Sequence, residues 1–142
     1  MNGTSAATAS AVTFVWLGMV LAISFLEAPL KFRAPGVTIP VGLGIGRLVF
    51  RALNAVEAVL AVVVIAAIAV GGAPAGITAL TAVLAVLLLA QLAAVRPYLN
   101  RRSDRILAGE ELPRSRSQFW YVGLEMLKVI ALIALGVGLL TV

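Results

Sequence analysis

The chain of 142 residues contains no cysteine and no histidine. Disulfides, thiolate or imidazole metal sites, haem ligation by histidine, and cysteine or histidine catalysis are excluded by residue type. Charge is scarce, with DEKR residues at 12% against 62% hydrophobic. A soluble domain this small leaves too much of its chain at the surface to hide that apolar fraction, so the composition predicts an integral membrane protein. The charge that remains is mostly positive, 11 Lys and Arg against 6 Asp and Glu. Such a bias in a soluble protein would point to nucleic acid. Here the basic residues flank apolar runs, where they face cytoplasm and anionic lipid, and no nucleic-acid partner is expected.

What is present is a series of four apolar runs. Residues 1–10 are small, polar and uncharged, lack the basic start of a cleaved signal peptide, and read as a short tail. With Ser10 as N-cap, residues 11–30 supply an apolar run interrupted by Glu27, enough to cross about 30 Å of hydrocarbon. Pro29 has no amide hydrogen and frees the Phe25 carbonyl, so the helix is expected to bend or end near Glu27.

Residues 31–42 form a connection, with Ala34-Pro35-Gly36 as turn signal and Pro40 barring a helix from passing through. The second span is predicted over 43–70, longer than a perpendicular crossing needs, and Gly71-Gly72-Ala73-Pro74 ends it in a hairpin. The third covers 76–95 and is closed by Arg96-Pro97. Residues 96–117 make the one water-loving stretch, with room for a surface helical turn or two at 103–108, and the fourth span runs over 118–141 behind an aromatic belt of Phe119, Trp120 and Tyr121.

The expected fold class is therefore all-α: a single-domain, integral-membrane, four-helix up-and-down bundle. Every Lys and Arg lies in loops 31–42 and 96–117 or in the helix ends beside them. The positive-inside rule then places both termini outside and both charged loops in the cytoplasm, as a multi-pass protein of the inner (plasma) membrane.

This arithmetic brings the intramembrane polar residues to one depth: Glu27, Lys31, Arg51, Asn54, Glu57, Gln91, Glu125 and Lys128. Arg47, Arg51 and Asn54 share a helical stripe with Glu57 on its flank, Tyr121, Glu125 and Lys128 share another, and Glu27–Lys31 and Glu125–Lys128 are spaced to pair. As lipid does not solvate such stripes, they are expected to turn inward. One reading is a polar cavity in which a carboxylate exchanges a proton or cation. The other is a self-neutralising network that locks the helices in register. Gly42-Leu43-Gly44-Ile45-Gly46-Arg47 reads as a glycine loop entering a helix, where Arg47 and Arg51, with Arg96 nearby, would hold a lipid-headgroup phosphate; alternatively the glycines serve helix packing. It is neither a P-loop nor a dinucleotide fingerprint. Close helix approach is expected at Gly18 and Ala22 and at Ala134 and Gly138, and Trp16 is a candidate for a ligand cavity, an interface anchor or packing.

Across Gly18 to Phe32 (GMVLAISFLEAPLKF) and Gly46 to Arg51 (GRLVFR) the chain resembles a broad group of four-helix membrane proteins that includes a eukaryotic protein associated with platinum-drug resistance. The group has a glycine in the first helix, Ala-Pro-x-x-Phe at its end and Gly-Arg-x-x-Phe opening the second. The resemblance covers the first two helices and the overall hydropathy. It implies structural roles for Gly18, Pro29, Phe32, Gly46 and Phe50 and brings no reaction with it.

Short loops and the lack of a catalytic residue set point to a non-enzymatic protein without a cofactor. The expected role is an accessory or assembly subunit of a larger membrane complex, contacting membrane lipids and either a membrane-protein partner or a second copy of itself. The alternative is a small proton-coupled transporter or exporter that uses the intramembrane glutamates.

Overall fold

The computed structural model describes residues 1–108 and 117–142, and of 94–96, 98–100, 102–103 and 117–120 the backbone only. Glu110, Glu111, Arg114 and Arg116, expected in the charged loop, lie outside the described residues, as do the side chains of Arg96, Phe119 and Trp120. The described residues are helical apart from short connections, with no strand among them. Four helices are long and apolar enough to cross a membrane.

The first helix, α1, runs Gly3–Arg33, well before the expected residue 11. Asn2 caps it, its extended backbone letting Oδ1 accept the Ser5 amide at 2.7 Å. Ser10, the expected cap, is instead a buried position inside the helix, because the Ala-rich segment before it favours helix over tail. The second helix, α2, spans Ile39–Gly71 rather than 43–70. Thr38 Oγ1 accepts the Val41 amide at 3.3 Å, and Pro40 stands in the first turn, where a missing amide hydrogen costs nothing. Gly42, Gly44 and Gly46 are therefore helical and form no phosphate loop. Gly72, with φ 65°, turns the chain into α3, Ala75–Ala90.

Neither Pro29 nor Pro97 stops its helix at once, although past Pro29 the first helix runs on only as one short α and one 3-10 turn to Arg33. Pro29 and Pro97 each follow a π-helical segment, Leu21–Glu27 and Gln91–Val95, by two residues. In the first, the Ala28 amide reaches back to the Ile23 carbonyl. The wider turn opens the helix wall where the pyrrolidine ring would strike the carbonyl four residues back. The chain thus passes through Arg96-Pro97 into α4, Arg96–Leu107, which takes in the helical turn or two expected at 103–108 and extends it back through residues expected as loop. The last helix, α5, spans Ser117–Leu140.

α1 packs on α2 and α5, and α3 packs on α5 and less extensively on α2, so the ring of helices follows chain order as an up-and-down bundle. Buried positions recur at spacings of three and four, as Leu53, Glu57, Ala61, Val64 and Ile68 on α2 and Tyr121, Glu125, Lys128, Leu132, Leu135 and Leu139 on α5. Trp16 is packing, buried with Val20, Val64, Leu84, Leu132 and Leu135 in the half of the bundle away from the charged end. The space beside Trp16, Ala61 and Thr81 holds no volume for water. Gly18, Ala22 and Ala134 are exposed and make no close approach within the bundle. That role falls to Gly71, where a Cβ would stand 2.5 Å from Ser5 Cβ, and to Gly138, 2.7 Å from Ile77 Cδ1.

Candidate functional site: a buried polar knot and a lateral cleft

Helical phase decides which polar residues turn inward. On α2 the stripe through Gly46, Leu53 and Glu57 faces the other helices, since the bare glycine lets the end of α1 lie against it. Arg47 and Arg51 sit one residue further round, so both turn to the outside, and Arg51 does not join the expected cluster. Asn54, on the boundary between the stripes, is buried at 6% exposure.

The residues that do converge are Glu57, Gln91, Glu125 and Lys128, contributed by α2, the π segment after α3, and α5. Lys128 and Glu57 are fully buried, at 0% exposure. The Lys128 ammonium donates to Glu57 Oε1 at 2.9 Å and Oε2 at 2.8 Å and to Gln91 Oε1 at 2.8 Å, and lies 2.7 Å from Glu125 Oε1. Gln91 Nε2 donates to the same Glu125 oxygen at 2.7 Å. An ammonium has three protons, and here they serve four oxygens, one proton shared across the Glu57 carboxylate. A buried ion pair offsets its loss of hydration only when geometry is good and the remaining hydrogen-bonding groups are met; this one meets nearly all of them. The exception is Glu125 Oε2, buried with no hydrogen-bond partner among the described residues.

Glu27 and Lys31 stand apart from this knot. They pair at 4.0 Å at the end of α1, and the Lys31 ammonium also lies 5.7 Å from the centre of the Phe50 ring, beside Gly46. Phe50 in turn meets the edge of Tyr121, ring centres 5.9 Å apart. Tyr121 is buried and so is no belt residue, because α5 places it one turn before Glu125 on the inward stripe.

On the outside of α2, a cleft of about 660 Å³ opens against Leu92 and Leu107. Arg47, Arg51 and Asn54 give it a polar end, and Ala55 and Ala58 continue it as an apolar wall. Arg47 pairs with Asp104 of α4 across its mouth. Asp104 was not singled out from sequence, since nothing local tells that a helix continues past Pro97 and lies along α2. A clustering of three or more potential metal-ligating side chains does not occur among the described residues.

No protein-family model, no curated protein sequence and no solved structure matches the chain.

Proposed function

We propose that the chain is a non-enzymatic accessory or assembly subunit of a larger complex in the inner (plasma) membrane, its charged end in the cytoplasm and both termini outside. The observation that carries the reading is the saturation of Lys128: its three protons are taken up by buried oxygens from three elements of the bundle. That charge holds helices together and is not offered to a substrate. The other half of the bundle is filled by Trp16, Leu132 and Leu135, and the space beside Trp16, Ala61 and Thr81 is too small for water, while large apolar residues such as Leu48, Val62 and Val70 point outward, ready to meet lipid or a partner helix. The one-sided distribution of Lys and Arg supports the orientation.

Gentle extraction from the native membrane followed by native mass spectrometry tests the proposal. A heteromeric mass is expected; a chain that emerges only alone or with copies of itself overturns it.

A second reading, a small proton-coupled transporter, is favoured by one observation, the unpartnered Glu125 Oε2 in the buried knot. It requires that flux in proteoliposomes depend on Glu125, and full flux in Glu125→Gln rejects it.

A further inference from the structure

We infer that the cleft outside α2 is a binding site for one anionic glycerophospholipid of the charged-side leaflet, a deepening that rests on the reading of the chain as an accessory membrane subunit. Depth along α2 gives the first argument. A helix of 33 residues is about 50 Å long, whereas hydrocarbon is about 30 Å thick, or roughly twenty residues. Counting back from Gly71 at the far surface, the hydrocarbon boundary falls near Arg51. Arg47 then lies a turn further out, at the level of lipid phosphates, and Asn54, Ala55 and Ala58 lie inside, at the level of ester groups and acyl chains.

The chemistry follows the same order. Arg51 has no ion-pair partner among the described residues, and Arg47 shares its charge with Asp104, so among the described residues the mouth carries an excess positive charge that suits a phosphodiester. One turn deeper, Asn54 Oδ1 is buried without a hydrogen-bond partner, in a side chain 6% exposed. An amide there has an acceptor and, on a half-turn of its end, donors, which match the glycerol and ester region of a lipid. Below it the wall is Ala55, Ala58 and Leu92, whose small alanines leave a channel for a methylene chain. A soluble anion would use the arginines and leave the apolar wall uncovered; an uncharged lipid would use the wall and leave Arg51 unpaired. A diacyl phospholipid with a net negative head satisfies both.

The test uses the full-length chain in non-ionic detergent, offered equal amounts of dioleoyl phosphatidylglycerol and dioleoyl phosphatidylcholine and read by native mass spectrometry. A single phosphatidylglycerol is expected to be retained in preference to phosphatidylcholine by about tenfold. Arg51→Gln is expected to erase the preference, Ala55→Trp to remove the bound lipid, and Val86→Trp, on an exposed face of α3 outside the cleft, to leave the retention of phosphatidylglycerol unchanged. Should Ala55→Trp fail to give a cooperative thermal transition, Leu48→Glu at the exposed mouth replaces it, with loss of retention expected. Equal retention of both lipids, unchanged retention in Arg51→Gln and in the cleft variant, or equally tight binding of glycerol 3-phosphate alone each overturns the inference. Retention by a chain that purifies without a partner keeps the lipid site and discards the accessory role; a heteromeric complex indifferent to lipid does the reverse.

Discussion

The Lys128 ammonium lies 2.8 Å from Glu57 Oε2, although 71 residues separate them in the chain. Both are fully buried, and α2 and α5 are joined there by an ion pair with no exposed surface. Removing one partner leaves the other ionised and unpaired in a dry interior. Lys128→Met should therefore destabilise the bundle by about 3–5 kcal/mol, read as a lowered unfolding transition in detergent. Lys128→Met with Glu57→Gln and Glu125→Gln should recover most of the loss, because the neutral set fills similar space. Lys128→Arg should not restore stability, since a planar guanidinium does not fit where a compact three-proton head is held by four oxygens. Equal stability of Lys128→Met and the parent would discard the network as a lock.

A second ion pair makes the contrast. Arg47 and Asp104 also bring distant segments together, but their side chains are 38% and 58% exposed. Pairs of that exposure are worth under about 1 kcal/mol, as water already solvates both ends and holding two mobile side chains costs entropy. A double-mutant cycle with Arg47→Ala and Asp104→Ala should return a coupling below that figure, reduced further by salt.

Glycines separate in the same way. Gly71→Ala places a Cβ 2.5 Å from Ser5 Cβ, an atom fixed to its backbone and not the far end of a flexible side chain, and should cost about 1–3 kcal/mol. Gly18 has nothing within 4 Å of that position, so Gly18→Ala should raise stability by up to about 1 kcal/mol through helix propensity alone. Thermal unfolding of the two variants side by side measures the difference, and a destabilised Gly18→Ala would mean that this open face is covered by a partner.

Orientation is directly accessible because the chain has no cysteine of its own. Single cysteines at Thr4 and Ala75 should react with a membrane-impermeant thiol reagent in intact cells, and one at Ala108 only after permeabilisation. All three positions are exposed in the fold. The reverse pattern overturns the proposed topology.

Four helices of membrane-crossing length were legible in the sequence because hydropathy and length are local properties: an apolar run long enough to span is helical whatever it packs against. The polar residues Glu57, Gln91, Glu125 and Lys128 were also placeable at one depth, since rise per residue fixes depth once the turns are known. Helix ends were less legible. Asn2 and Thr38 act as caps through side-chain geometry, and Pro97 reads as a stop, and Pro29 as a bend or an end, because a π turn that admits proline leaves no sequence mark.

What only the tertiary structure decided was direction. Stripes one residue apart on α2, one through Gly46 and Glu57 and one through Arg47 and Arg51, both carry charge, and the helical period ranks neither. Packing of Lys31 against the bare Gly46 turns the first stripe inward and leaves Arg47 and Arg51 on the outer cleft. The same choice sends Glu57 to Lys128 and Arg47 to Asp104. The order of residues along the chain puts the charges at one end of the bundle; contact between helices decides which of them meet.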